Sequence, residues 1–159
     1  MTDHDAHLLR CVALAREALD AGDDPFGSLL VGDGDVVLAE ARNREVSLAD
    51  PTAHPEFELA HWAWENLGPD ARSSAIVYTS GEHCPMCAAA HGWVGLGAIV
   101  FAASSVQLSG WRASWGLAAS PVAPLPLSVV LPGTHVTGPV SPYDELMLPL
   151  HQQAANRRG

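Results

Sequence analysis

Two cysteines, Cys84 and Cys87, have two residues between them in the segment Ser80-Gly-Glu-His-Cys-Pro-Met-Cys-Ala-Ala-Ala-His91. This spacing lets both sulfur atoms point at one centre. Pro85 suits the first position of a helix, where its missing N–H costs nothing. A helix N-terminus stabilises thiolates, which are the form of cysteine that binds a metal. The segment therefore predicts a metal-binding turn at the start of a helix.

A histidine that precedes a glutamate by two residues can complete such a site. His54 and Glu56 flank Pro55, which again suits a first helical position and would direct a second helix N-terminus at the same metal. His54, Cys84 and Cys87 would supply three ligands to zinc. The fourth position is then open for water, as in catalytic rather than structural zinc sites. Glu56 would act as the general base beside the metal.

Two other interpretations of the cysteine pair stay open. The pair could be redox-active, although a thioredoxin-like protein would place it in a different strand context. It could also form a structural zinc site with His83 or His91. Both alternatives leave His54 and Glu56 without a role, so the catalytic arrangement is favoured.

Composition limits the partners that this chain can have. Its net charge is −10, from 18 acidic against 8 basic residues, and only Arg157-Arg158 forms a basic pair. Phosphate groups would be repelled, so nucleic acid is not expected as a partner. Three cysteines do not suggest a secreted disulfide framework, and the first residues lack an apolar signal segment. No apolar run is long enough to span a membrane, so we expect a cytoplasmic protein.

The apolar pattern switches repeatedly between helical and strand periodicity. The predicted helices lie at 4–21, 57–67, 85–95 and 144–156. The predicted strands lie at 28–31, 36–39, 75–78, 98–101 and 127–131. The first two strands form a hairpin, and strand alternating with helix in the middle of the chain predicts parallel pairing there. We therefore expect a mixed sheet with helices on both faces.

The last third of the chain gives weaker signals. Residues 103–126 are rich in Ser, Gly, Pro and Ala and are predicted to be loop. Pro149 would kink or shorten the final helix. The length of 159 residues suits one domain, 1–159, in which 142–159 is a helical tail.

The two metal-binding segments match a known signature, H-x-E followed by P-C-x-x-C, except that His83 stands in place of the proline before Cys84. Here the signature takes the form His54-Pro-Glu56 and His83-Cys-Pro-Met-Cys87. Other matching segments occur in family order: Pro25-Phe-Gly27, Asn43, Asp50-Pro-Thr-Ala-His54 and Tyr78-Thr-Ser80. Over 25–103 the chain resembles the zinc-dependent cytidine/deoxycytidylate deaminase superfamily, nearest its guanine deaminase or nucleobase deaminase branch. The resemblance implies an α/β fold, a three-layer α-β-α sandwich with a mixed sheet of about five strands.

The resemblance also implies an activity, hydrolytic deamination of a small free amino-heterocycle with release of ammonia. Zn²⁺ would be held by His54, Cys84 and Cys87, and Glu56 would move protons between water, ring and leaving group. Related deaminases are commonly dimers, so a homodimer is expected.

Five residues are candidates for contact with the heterocycle. The resemblance assigns a hydrogen bond to Asn43, which by itself would be a turn residue, and a pocket-lining position to Phe26. Trp111 and Trp115 could close over a flat ring by stacking, or serve in packing. Tyr143 is a candidate because the C-terminal segment helps to cover the pocket in related deaminases.

One departure from the family pattern bears on the substrate. The guanine deaminase branch places an acid in the loop after the fourth strand, where it can accept from the N–H edge of guanine. This chain has no Asp or Glu between Glu82 and Asp144. Unless Asp23 or Asp24 serves instead, guanine is less favoured, and cytosine or an amino-triazine becomes a serious candidate.

Two alternative functions remain. The first is a tRNA-specific adenosine deaminase, which the acidic charge disfavours. The second is a zinc-bound but catalytically silent scaffold that acts through dimer contacts, which an intact Glu56 disfavours.

Overall fold

A mixed five-stranded sheet forms the middle layer of the computed structural model, which describes residues 4–158. The strands are β1 (Gly27–Gly32), β2 (Val36–Arg42), β3 (Ile76–Gly81), β4 (Ile99–Ala103) and β5 (Val136–Thr137). The helices are α1 (His4–Asp20), α2 (Pro55–Asn66), α3 (Pro69–Ser74), α4 (Pro85–Trp93), α5 (Ser105–Ser114), α6 (Leu127–Val130) and α7 (Tyr143–Arg158). Within this described range, no helix is both long enough and apolar enough to cross a bilayer.

The sheet combines antiparallel and parallel pairing. Its strand order is β2-β1-β3-β4-β5. Strand β1 runs antiparallel to both β2 and β3, whereas β3, β4 and β5 are parallel to one another. The first two strands form the expected hairpin through a short 3₁₀ turn, Asp33–Asp35. The predicted mixed sheet of about five strands is confirmed.

Successive residues of the central strands face opposite helix layers, as the two-residue period of a strand requires. Leu29 and Val31 pack in a core with α1 and α7, while Leu30 between them packs in a second core with α2. Ile99 and Phe101 of β4 face α4 and α6. Helices therefore cover both faces of the sheet, and the predicted three-layer α-β-α sandwich is confirmed.

The topology brings four chain segments to one edge of the sheet. Gly27 pairs with Arg42, Ser28 with Thr79, and Gly81 with Ala103. The residues just before β1 and just after β2, β3 and β4 consequently lie side by side at that edge.

Two predictions about the last third of the chain are wrong. The predicted loop 103–126 contains helix α5, which begins with a capping box. The hydroxyl of Ser104 accepts the N–H of Gln107 at 3.0 Å, and the Gln107 side chain accepts the N–H of Ser104 at 2.8 Å. These two bonds satisfy N–H groups that a helix start would otherwise leave unpaired.

The predicted strand 127–131 is the short helix α6, and the last strand is β5. Leu127 donates its N–H to the Glu82 carboxylate at 2.8 Å, and Leu131 donates back to the Leu127 carbonyl at 2.7 Å. The run therefore closes into one turn, with Leu127 fully buried against β4. This helical turn could not be predicted from the apolar composition of 127–131, because a short buried helix and a buried strand have similar hydrophobicity.

Helix α7 is longer than predicted and continues through Pro149. The proline ring and the carbonyl of Glu145, which loses its helical partner, both lie on exposed residues. Solvent can hydrogen-bond that carbonyl, so the helix is not ended there.

Candidate metal centre and active site

Three donor atoms converge at the sheet edge. The His54 Nδ1, Cys84 Sγ and Cys87 Sγ atoms, called the donor cluster below, are separated pairwise by 3.5 Å. His54 is the N-cap of α2 and Cys84 is the N-cap of α4, and each is followed by a proline at the first helical position. Both helices thus direct the positive ends of their dipoles at the donor cluster, where thiolates are stabilised.

The donor cluster fits zinc in size. A tetrahedral ion with sulfur at ~2.3 Å and nitrogen at ~2.0–2.1 Å holds its ligand atoms roughly 3.5–3.8 Å apart, and the observed separations are 3.5 Å. Three protein ligands also leave one position for a non-protein ligand, which is the open arrangement of catalytic sites.

The charge distribution of the donor cluster also suits a cation. Hydrogen bonds to Cys84 and to Glu45 raise the pKa of His54 to about 10. Hydrogen bonds from Cys87 and His54 lower the pKa of Cys84 to about 4. The pKa of Cys87 is raised, first by its hydrogen bond to Cys84 and then by burial. The site therefore stabilises positive charge next to thiolate sulfur, and a divalent cation would remove the repulsion between two thiolates.

Glu56 lies next to the donor cluster in the first turn of α2, and its residue is only 6% exposed. Its Oε1 atom lies 2.8 Å from the hydroxyl of Thr79 and 3.1 Å from the hydroxyl of Ser28. Both hydroxyl residues are fully buried. Burial raises the pKa of Glu56, and this effect outweighs the hydrogen bond from Thr79. A raised pKa makes this carboxylate a stronger base, which suits a group that accepts and returns a proton.

Glu45 also lies at this site, where it contacts His54 and Asn43. Its position in the sequence did not predict these contacts. Its Oε1 atom lies 3.5 Å from His54 Nε2, on the side of the imidazole away from the sulfur atoms. Its Oε2 atom accepts a hydrogen bond from Asn43 Nδ2 at 2.6 Å, and its N–H donates to Asn43 Oδ1 at 3.0 Å. The last bond is an Asx-turn, a local feature that an asparagine in a loop predicts.

Asn43 and Phe26 are placed together at the sheet edge. The Asn43 N–H donates to the Phe26 carbonyl at 3.0 Å, and the Asn43 residue is 1% exposed. The Phe26 ring lies over Gly81, where an added Cβ would approach the ring to 3.1 Å. The Asn43 amide is held by Glu45, so its contact with a heterocycle stays a prediction.

Trp111 in α5 and Trp115 just after it lie close to His151 of α7, which was not among the predicted site residues. His151 packs between Phe26 and Trp111, with ring centroids at 5.0 Å and 6.0 Å. Trp115 lines a cavity of about 30 Å³ with Phe26 and His151. That volume suits one water molecule rather than a heterocycle. We call α5, the adjoining Trp115 and α7 together the C-terminal wall. The sequence feature that could have indicated His151 is its position four residues after the apolar Met147.

Tyr143 lies at the start of α7, is 8% exposed and packs in the core formed with α1. This packing accounts for its burial. Its contact with a substrate, like that of Trp111 and Trp115, stays a prediction.

The rings of His83 and His91 pack against each other, with centroids 5.4 Å apart. Burial lowers the pKa of His83 well below its usual value. His91 uses Nε2 to bond the Gly97 carbonyl at 2.8 Å. In the part of the chain that the structure describes, the donor cluster is the one group of three or more His, Cys, Asp or Glu residues that could hold a metal. The alternative of a structural zinc site that includes His83 or His91 finds no support.

The fold and this site define a zinc-dependent deaminase domain. A family model described as the cytidine and deoxycytidylate deaminase zinc-binding region matches residues 1–103, and the chain belongs to that family. The family is zinc-binding, in agreement with the predicted cofactor.

Individual relatives place the chain near enzymes that act on bases. It is 40% identical to the guanine deaminase of Bacillus subtilis over 102 residues, which cover 64% of this chain and 65% of the relative. It is 42% identical to the tRNA-specific adenosine deaminase of Agrobacterium fabrum over 76 residues, 48% of this chain and 49% of the relative. The chain thus spans about half to two thirds of the length of these relatives.

One solved structure shares the fold over nearly the whole chain. The guanine deaminase of Nitrosomonas europaea superposes with a TM-score of 0.77 over 98% of this chain and 86% of the other, at 22% identity. The likeness includes the region after residue 103, which lies beyond the family model.

Proposed function

We propose that this protein is a zinc-dependent hydrolase that removes the exocyclic amino group from a small free amino-heterocycle and releases ammonia. One observation carries the proposal: a buried carboxylate, Glu56, lies beside a three-donor cluster that has the size and charge for zinc. In this proposal His54, Cys84 and Cys87 are the metal ligands.

The residues around Glu56 suit proton transfer. When bound, zinc lowers the pKa of a coordinated water toward ~7 and so supplies a nucleophile at neutral pH. Glu56 accepts the proton of the attacking water and delivers it to the ring nitrogen. It then takes the proton of the new hydroxyl on the tetrahedral ring carbon and gives it to the amino group, so that the carbon–nitrogen bond breaks, ammonia leaves and a carbonyl forms. The hydroxyls of Ser28 and Thr79 hold Oε1 and so fix the direction of the carboxylate.

The relatives and the acids near the site bear on which ring is the substrate. The guanine deaminase relatives favour a purine with an amino group. The acids that could accept from a guanine N–H edge are occupied, however: Asp23 binds the N–H of Ser47 at 2.7 Å and its hydroxyl, and Asp24 pairs with Arg158. Both oxygens of Glu82 bind the N–H groups of Ser105 and Leu127. Cytosine and amino-triazines therefore stay in the substrate class with guanine.

The test is ammonia release by the zinc-loaded protein over a panel of guanine, cytosine, adenine, their nucleosides and several amino-triazines. Turnover of one free base that falls about 10²–10⁴-fold in Glu56→Gln supports the proposal. Glu58→Gln is the matched control, since Glu58 lies on the same helix but is exposed and pairs with Arg44. Silence across the panel with one zinc per chain would instead favour the catalytically silent scaffold.

A tRNA-specific adenosine deaminase is the second candidate, because the Agrobacterium fabrum relative is 42% identical over its matched region. A net charge of −10 opposes binding of a polyphosphate. An inosine assay on tRNA, run beside the base panel, separates the two activities.

We also propose a cytoplasmic homodimer. Zinc-binding thiols suit a reducing compartment, and Cys84 and Cys87 are not in a disulfide. Trp93 at the end of α4 is 89% exposed and Trp64 on neighbouring α2 is 59% exposed, which gives a surface that a second copy can cover. Light scattering on the wild type and on Trp93→Glu tests the dimer, and cell fractionation tests the location.

A further inference from the structure

We propose that Glu45 is a positioning residue that orients the metal ligand His54 and the predicted base contact Asn43 at the same time. The part that concerns Asn43 rests on the proposed function. The part that concerns His54 depends only on metal binding.

The contact with His54 determines which ring nitrogen is available to a metal. Nδ1 faces the two sulfur atoms at 3.5 Å, while Nε2 faces the Glu45 carboxylate at 3.5 Å. An imidazole that donates Nε2–H to a carboxylate carries its lone pair on Nδ1. Glu45 therefore favours the tautomer and the ring orientation that present Nδ1 to the metal. Such outer partners of a ligating histidine are typically worth 10- to 100-fold in metal affinity.

The contact with Asn43 uses the other carboxylate oxygen. Glu45 Oε2 accepts from Asn43 Nδ2 at 2.6 Å, and the Glu45 N–H holds Asn43 Oδ1 at 3.0 Å. The amide is fixed at both ends by one residue, so its direction at the sheet edge depends on Glu45. Loss of the carboxylate would free Nδ2 and also release the His54 ring.

The loop that carries Glu45 is held independently of this side chain. Ser47 donates its N–H to buried Asp23 at 2.7 Å, and Arg44 donates its N–H to the Ala53 carbonyl at 3.1 Å. The Glu45 carbonyl accepts the N–H of Asp50 at 3.0 Å. Replacement of the Glu45 side chain therefore tests its two contacts rather than the folding of the loop.

The experiment measures zinc affinity of the full chain by competition with a chromophoric chelator, for wild type, Glu45→Ala and Glu45→Gln. We expect Glu45→Ala to weaken zinc binding about 10- to 100-fold. Glu45→Gln keeps an oxygen that can accept from Nε2–H and should recover part of the loss. Glu58→Ala, which removes an exposed carboxylate paired with Arg44, is the control and should stay within about twofold of wild type.

Zinc affinity of a folded Glu45→Ala variant within about twofold of wild type would overturn the part that concerns His54. If Glu45→Ala does not fold, Glu45→Asp gives the same test, because it withdraws the carboxylate by one methylene and should also weaken zinc binding. The role toward Asn43 is tested by comparing the KM of Glu45→Ala with that of the wild type. The substrate is the one found in the base panel, and zinc is at saturation. A higher KM supports the second role and an unchanged KM overturns it. Because zinc affinity is measured without substrate, failure of the proposed activity leaves the His54 result intact.

Discussion

The donor cluster and the C-terminal wall lie at the same edge of the sheet but are built differently. Next to the donor cluster, hydrogen bonds hold the buried carboxylate, since Glu56 contacts the hydroxyls of Ser28 and Thr79. In the C-terminal wall, rings such as Trp111 and His151 pack by contact alone, with centroids 6.0 Å apart. Hydrogen bonds fix direction, whereas packed rings tolerate rearrangement. From this difference we expect the first region to carry the proposed reaction and the second to influence the choice of ring.

The largest expected effect follows from removal of one sulfur ligand. In Cys87→Ser we expect zinc to fall well below one per chain and ammonia release to fall by about 10³-fold or more, because the Lewis acid is lost. Elemental analysis and the ammonia assay measure the two effects. Trp115→Ala, in the C-terminal wall, should retain its zinc. Full zinc occupancy in Cys87→Ser would show that the donor cluster is not the metal centre.

A core substitution in the C-terminal wall should affect stability without affecting zinc. Met147 is fully buried between α7 and the sheet, and Met147→Ala is expected to lower the free energy of unfolding by about 2–5 kcal/mol. Urea unfolding measures this loss. Leu146→Ala, one residue away and 42% exposed, should change stability by only about 0.5 kcal/mol. A loss of zinc in folded Met147→Ala would contradict the separation of the two regions.

A smaller effect is expected on substrate binding. If Trp115 stacks on the heterocycle, Trp115→Ala should raise KM roughly 2- to 13-fold, the equivalent of about 0.5–1.5 kcal/mol, with little change in kcat. The control is Val106→Ala, because Val106 lies in α5 and is 71% exposed. Equal KM values in the two variants would leave Trp115 with a packing role.

The smallest effect is a pH dependence of stability. Burial lowers the pKa of His151 to about 3, whereas histidine in an unfolded chain titrates near ~6.5. Below pH ~6.5 the unfolded chain takes up a proton that the folded protein excludes, so stability is complete above that pH and is lost as the pH falls toward 3. The loss approaches about 1.4 kcal/mol per pH unit. His151→Phe should remove this slope between pH 7 and 5.5, as followed by urea unfolding with zinc at saturation; parallel curves for the two proteins would contradict it.

The two regions also differ in how far the sequence predicts them. The donor cluster is built from two short segments, which contain Cys84 with Cys87 and His54 with Glu56. A proline marks the start of the helix in each segment, so the geometry within each segment is local. The one long-range feature is the contact between the two segments. It was predicted because zinc needs more ligands than either segment provides. The strands up to β4 were predicted for a similar reason, since their periodicity is a local property.

The part of the chain after β4 depends on partners that are distant in sequence. Leu127 begins α6 because its N–H reaches Glu82, 45 residues earlier, and no property of residues 127–131 reveals that bond. His151 owes its position to Phe26 and Trp111. The start of α5 is the exception, because Ser104 and Gln107 form a capping box that the sequence contains and that the composition of 103–126 concealed.

Glu82 links the backbone next to the donor cluster to the helices that follow β4. One carboxylate, two residues before Cys84, holds the first N–H of α5 through one oxygen and the first N–H of α6 through the other, each at 2.8 Å. A displacement of either helix therefore pulls on the same backbone that carries the sulfur atoms. Because the first turn of α5 is tied through this one side chain to the backbone next to Cys84, we expect a displacement of α5 to be felt at the sulfur ligands.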